Sequence, residues 1–395
     1  MRHFFILLST GGPGLQRLIV FLAIERLYGA QILGQFTINY SYVQLLSYFT
    51  AIGWSGLILT RIPKIESDCD RRTYLSSVLN VSFLYFVIFS SILYFIMLDQ
   101  EGAEYLYSLS FLASWMVYQI FRHYYISLSA HERIVLADMV SVFSLLAAMS
   151  LHLHPLLSLT IGFSISSIIL AYGKLRFTTK LLSLNDQGLS LSISLSNFLS
   201  GLPFYALPIV LGFVSGTSTA AIVGYVMAFI AILDLVPRAL AFYFLPKISA
   251  NINNSLALTY TRRQIYINSG FSLLSLIFVF TILEIIKMLD PEGILGTDGA
   301  EMIYILLLLA TFIATLSLPF NNYLLALEKT KTILCISLSS TFLTMLAFII
   351  YIYDSSLEKL LISMCIISFM KIALSFLMYR SHARSIRQGV VIDIH

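Results

Sequence analysis

Gly11-Gly12-Pro13-Gly14-Leu15-Gln16-Arg17, running on to Glu25-Arg26-Leu27-Tyr28-Gly29 and then Gly34, is the stretch on which the fold turns. It is apolar enough, and long enough, to cross a bilayer as a helix. Yet it carries Arg17 near its middle. An arginine at the bilayer centre costs roughly 2.5–3.5 kcal/mol on insertion scales, so its place is a wet or protein-lined interior. The run Gly11-Gly12-Pro13-Gly14 also breaks the apolar core that a secretory leader would need. No small-x-small cleavage site precedes a soluble mature chain, so the sequence predicts a retained first helix.

Working outward, the composition repeats the message. The 395 residues are 58% hydrophobic and 11% charged, with a mean hydropathy of +0.87. That excludes a set of soluble domains. Turn and charge clusters such as Asp99-Gln100-Glu101-Gly102, His152-Leu153-His154-Pro155 and Asp290-Pro291-Glu292-Gly293 separate about twelve apolar spans. These fall near 3–28, 34–59, 74–98, 105–129, 134–153, 155–173, 189–213, 218–243, 265–289, 300–326, 332–353 and 358–379. The fold class expected is therefore an all-α polytopic membrane protein. Cys69, Cys335 and Cys365 suggest neither a disulfide framework nor a metal cluster. A net charge of +4 is too small to imply nucleic acid.

Lysine and arginine set the orientation. With the N-terminus inside, the tails and even-numbered connections hold Arg2, Arg61, Lys64, Arg71, Arg72, Arg133, Lys174, Arg176, Lys180, Lys247, Arg262, Arg263, Lys329, Lys331, Arg380, Arg384 and Arg387. The other side has Arg26, Lys287 and Lys359 near it, and acidic loops with Asp99, Glu101, Glu104, Glu292, Asp298 and Glu301. Both termini are expected in the cytoplasm.

A polar segment near 174–188 splits the chain into 1–185 and 186–395, each of about six helices. Gly34 and Gly224 open the second and eighth spans, which run to Pro63-Lys64-Ile65 and Pro246-Lys247-Ile248. The two distances differ by seven residues, so chance competes with a parallel repeat of the kind that places a substrate site between halves.

At these residues the chain resembles the polysaccharide-exporter branch of the multidrug/oligosaccharidyl-lipid/polysaccharide (MOP) superfamily, whose members include the Wzx-type O-antigen flippases. The resemblance rests on Ile24-Glu25-Arg26-Leu27-Tyr28-Gly29 with Gly34, on Gly53 to Arg61, on Gly224-Tyr225 through Pro237 to Leu245-Pro246-Lys247-Ile248-Ser249, and on Leu325-Ala326-Leu327-Glu328-Lys329-Thr330-Lys331. Glu25 departs from the family's usual alanine, and Glu328 from its glycine. The resemblance implies two six-helix bundles around a central cavity in a bacterial inner membrane. It implies alternating access and no enzymatic step. The cargo would be an undecaprenyl-diphosphate-linked oligosaccharide moved from the cytoplasmic to the periplasmic leaflet. Partners would be that lipid-linked sugar, membrane lipid, and a polysaccharide polymerase with its chain-length regulator.

A sugar head group and diphosphate must cross about 30 Å of hydrocarbon. Arg17, Arg122, Arg238 and Lys371 are the candidate cations within spans, arginine being suited to two phosphate oxygens at once. Asp234 lies four residues before Arg238, so that arginine is either a ligand or half of a helix-face pair. Arg122 sits beside His123, where the side chain could snorkel toward the inner surface. Asn39, Tyr42 and Asn321 suit a sugar path. Asp138 and Asp234 could load H+ or Na+ and couple transport to a gradient, or simply pair with an arginine. No other cofactor is expected, because phosphate-binding glycine loops, paired-histidine zinc motifs and nucleophile elbows are absent from the sequence. The runner-up function is a cation-coupled multidrug antiporter of the same superfamily, which would favour acidic over cationic cavity residues. A membrane polysaccharide polymerase ranks below it, since the outer loops are short and free of arginine.

Overall fold

The computed structural model describes residues 2–98, 100, 102–174, 178, 180–251, 255–327 and 329–387. Asp99, Glu101, Arg176 and Glu328, all singled out above, lie outside the described residues. The chain is helical, with no strand among the described residues. Among the described residues the long helical segments are α1 (Arg2–Tyr28), α2 (Ala30–Lys64), α3 (Asp68–Ile96), α4 (Gly102–Ser127), α5 (His131–Ser150), α6 (Pro155–Ala171), α7 (Leu184–Ser215), α8 (Thr217–Ala250), α9 (Ser255–Leu289), α10 (Ala300–Ala326), α11 (Thr330–Asp354) and α12 (Leu357–Arg387). Each coincides with one expected span. Among the described residues nine of them are long and apolar enough to cross a membrane, and α6 is a shorter apolar helix.

Local chemistry marks the ends and the irregular turns. Ser67 caps α3, its hydroxyl accepting from the Asp70 amide. Pro155 opens α6 at a position where its missing N–H costs nothing. Gly29 and Gly216 take positive φ (85° and 90°) at the sharp joints before α2 and α8. α2 contains a π-helical turn at Tyr48–Ile52 and ends in a 3₁₀ turn at Ile62–Lys64. α10 is interrupted at Leu316–Ser317, just before Pro319.

Packing divides the chain into two compact units, Met1–Phe213 and Val214–His395. The expected boundary at 185/186 falls just inside α7, which lies with the first unit. Within that unit α1 packs on α2 and α5, and α4 packs on α2, α3 and α6, while α5 packs on α6. Within the second, α8 packs on α9 and α10, α10 on α12, and α11 on α12. The pairs α2–α4, α4–α6 and α5–α6 thus recur as α8–α10, α10–α12 and α11–α12. The faint sequence repeat has a counterpart in helix pairing. Its two Pro-Lys-Ile motifs sit in corresponding places, at the ends of α2 and α8.

The first unit's core is an aromatic row of Phe21, Tyr40, Phe111, Trp115, Tyr118 and Phe163, each a few ångströms from the next. In the second unit Phe244, Ile248, Phe320, Tyr323 and Tyr379 form a buried cluster. Leu, Ile and Phe side chains on α3, α9, α11 and α12 remain exposed, as expected of faces that meet lipid.

Candidate functional site

Arg17 is half-buried on α1 and makes no hydrogen bond or ion pair among the described residues. Aromatic rings surround it instead. Its guanidinium carbon lies 5.3 Å from the Phe21 ring centre, 5.4 Å from Tyr40 and 5.8 Å from Tyr205. Rings at this range attract a cation through their quadrupoles. Between Arg17 and the aromatic row is a small cavity lined by Gln16, Arg17, Tyr40, Trp115 and Phe163, large enough for about one water molecule. The arginine expected in a protein-lined interior is in one.

One turn toward the N-terminus, α1 meets a second polar group. Asp138 on α5 is only 6% exposed. Its Oδ1 accepts a 2.5 Å hydrogen bond from Tyr118 of α4, and its Oδ2 has no partner among the described residues. That free oxygen faces Gly12, where any Cβ would overlap it. Gln16 adds a 3.2 Å bond to the Asp138 carbonyl. Asp138 makes no ion pair among the described residues. It is a buried acid held by a phenol and by a glycine-sized gap.

Arg122 departs from the snorkelling reading. Its side chain is buried, and it donates to the Ser9 carbonyl of α1. That carbonyl would ordinarily receive the amide of residue 13. Pro13 has no amide hydrogen to give, so the guanidinium takes its place. Asn39 is fully buried and donates to Glu104 at 2.8 Å. Glu104 also meets His154 Nε2 at 3.1 Å, and the His154 ring stacks on Tyr107 at 4.3 Å. This cluster ties α2, α4 and the start of α6 together, and sequence reasoning missed it. Tyr42 is half-buried on α2.

In the second unit, Arg238 and Asp234 form the i,i+4 pair that their spacing allows, at 2.8 Å, with the arginine largely exposed. Asn321 on α10 accepts from Ser375 of α12 at 3.0 Å. Lys371, half-buried on α12, has no ion-pair partner among the described residues. Of the nine candidates, Arg17 and Asp138 lie on neighbouring helices of one unit, and Arg238 with Asp234 on one turn of the other. Among the described residues no group of three or more His, Cys, Asp or Glu side chains could hold a metal.

No protein-family model and no curated protein matches the chain. Solved structures do. The chain is similar over 98% of its length to an inward-facing multidrug resistance MATE family transporter of the MOP superfamily, at 14% identity and a TM-score of 0.65 with 98% of that chain covered. An outward-facing MATE family transporter of the same superfamily matches over 98% of this chain and 95% of that one, at 13% identity and a TM-score of 0.65. The fold is that of the MATE transporters. A third MATE-fold structure, a ligand complex of the multidrug transporter DinF-BH, matches at 15% identity and a TM-score of 0.61, over 95% of this chain and 94% of that one. At these identities the likeness carries the MATE fold and not a cargo. The fold agrees with the all-α membrane architecture expected from the sequence, and these similar structures are named as multidrug transporters.

Proposed function

We propose that this chain is a MATE-fold secondary transporter that works by alternating access and whose cargo presents an anionic head group, specifically a lipid-linked oligosaccharide diphosphate flipped toward the periplasmic leaflet. The observation that supports an anionic cargo is Arg17, a cation inside the first unit with no carboxylate against it among the described residues. A half-buried cation held among aromatic rings without a counter-ion gains when a ligand supplies the opposite charge. Its aromatic surround leaves the guanidinium fork free for phosphate oxygens, and flat aromatic faces suit sugar rings. The four sequence motifs point to the same branch of the superfamily.

The second reading is cation-coupled drug antiport, and the solved relatives favour it over the first: they are named as multidrug transporters, one of them solved as a ligand complex. The buried Asp138 would serve that reading as a proton or sodium carrier. One pair of assays separates the two. The gene is placed in a strain whose polysaccharide cluster lacks its flippase, and in a drug-hypersensitive efflux-deficient strain. Restored surface polymer, lost on Arg17→Ala at unchanged abundance, supports the flippase. Raised drug tolerance, lost on Asp138→Asn while polymer stays absent, replaces it with the antiporter.

A further inference from the structure

At one end of the second unit, where α9 begins and α10 and α12 end, Ala257, Leu258, Leu327, Tyr379 and Ala383 share a buried apolar cluster. Cations lie within about a turn of its members: Arg262, Arg263, Lys331, Arg380 and Arg384, all of them exposed. None makes an ion pair or a side-chain hydrogen bond among the described residues. Nor does the sequence supply acids on these helix ends, since 235–283 and 359–392 hold neither Asp nor Glu.

A positive end is what orients any membrane span, but that rule counts lysine and arginine and is indifferent to their pairing. The first unit shows the difference. Its Arg61 holds Asp186 through two nitrogens at 2.7 and 2.9 Å, and Arg72 holds Asp68 at 2.5 Å. Arg71 donates to the Ile65 carbonyl at 2.6 Å, and Arg133 to that of Ile169 at 3.2 Å. The first unit thus satisfies these arginines from within. The second leaves its own for something outside the chain.

Depth indicates what that is. About twenty residues separate Tyr266 from Lys287 on α9, and Lys359 from Arg380 on α12. At about 1.5 Å each they cover the roughly 30 Å of hydrocarbon. Arg262, Arg263, Arg380 and Arg384 therefore stand just past one edge of it, at head-group level. Tyr243 and Tyr266 are exposed at that end, as in an aromatic belt, with Lys247 Nζ 3.7 Å from the Tyr243 ring centre. Lipid phosphates lie at this depth, and the fork of an arginine can hold two phosphate oxygens. An anion there also relieves repulsion between like charges on converging helix ends.

We propose that this end of the second unit is a binding surface for anionic phospholipid, whose phosphate head groups are held by Arg262 and Arg263 of α9 with Arg380 and Arg384 of α12. Such binding depends on placement in a membrane and not on which cargo is carried.

Trp54 and Trp115 are the two native tryptophans, and both are buried in the first unit, so an indole placed in the second reports locally. The full-length protein carrying Tyr266→Trp is reconstituted into phosphatidylcholine vesicles. It is titrated with brominated phosphatidylglycerol or brominated phosphatidylcholine, and the signal of the unsubstituted protein is subtracted. Phosphatidylglycerol should quench at an about fivefold lower mole fraction, the preference expected when one arginine meets each anionic head group. Arg262→Gln, Arg263→Gln, Arg380→Gln and Arg384→Gln together should bring that ratio to about one. Should this variant fail to fold, about 1 M salt in place of about 0.1 M makes the same test on the unaltered arginines, because screening removes the preference. Equal quenching by the two lipids at the lower salt overturns the surface. So does a preference that survives the four substitutions or the higher salt. A preference abolished by a trace of undecaprenyl diphosphate in the vesicles makes the patch a dock for cargo and overturns the phospholipid assignment.

Discussion

Arg17 and Asp138 sit on helices that pack together, α1 and α5, and yet neither neutralises the other. That separation carries the functional argument at the scale of single residues. If Arg17 grips a diphosphate through its planar fork, Arg17→Lys keeps the charge and loses the second hydrogen bond. A charge-assisted bond is worth about 1.5–3 kcal/mol, so export should fall roughly 10- to 100-fold at equal abundance. Export unchanged in Arg17→Lys would show that a point charge suffices. Gly12 makes a structural prediction of its own. Gly12→Ala drives a methyl group into the free Asp138 oxygen and should cost about 1–3 kcal/mol, read as a lowered thermal midpoint in detergent. Arg17's isolation was legible in the sequence, because no acid stands within one helical turn of it. The partners of Arg122, Asn39 and Arg61 were not. Each lies at least 65 residues away, and only the packing of two helices decides which faces meet.

Among whole helices, two prolines show one device used in both units. In α1, Pro13 leaves the Ser9 carbonyl without its helical donor, and Arg122 of α4 fills the place. In α10, Pro319 does the same to the Thr315 carbonyl, and Asn268 of α9 donates to it at 3.0 Å. Membrane helices tolerate proline when a neighbour re-satisfies the freed group. The second case gives a clean cycle. Asn268→Leu orphans a buried carbonyl and should destabilise by about 1–3 kcal/mol. Pro319→Ala restores an amide to that carbonyl, so the double variant Asn268→Leu/Pro319→Ala should recover most of the loss. Additive losses in the thermal midpoints would mean that the two residues do not share the carbonyl. The helices themselves were legible, since length and apolarity alone delimit a span. The π-helical turn in α2 and the break in α10 were not. Tyr48–Ile52 carries no glycine or proline, and its extra residue answers to the packing of Thr50 and Ala51, both buried.

Across the molecule, the recurrence of helix pairs six apart and the bias of lysine and arginine make a joint claim about topology. Twelve spans from an internal N-terminus would put the start of α3 on the inner side, beside Arg71 and Arg72, and the acidic turn before α10 on the opposite side. Native Cys69 stands exposed at that first place, while Cys335 and Cys365 lie within α11 and α12. An impermeant maleimide should therefore label Cys69 in inverted vesicles and leave it untouched in spheroplasts, with Cys69→Ser abolishing the signal. A cysteine at Gly293, with the three native ones changed to serine, should show the opposite pattern. If Cys69 reacts from outside, the whole orientation inverts, and a diphosphate gripped by Arg17 would enter from the wrong leaflet for export. The same experiment thus tests whether the orientation is compatible with the proposed uptake of an anionic cargo from the inner side. Labelling of both positions from the same side would instead require an even number of spans between them, against the seven of α3 to α9 that the helix pairing supplies.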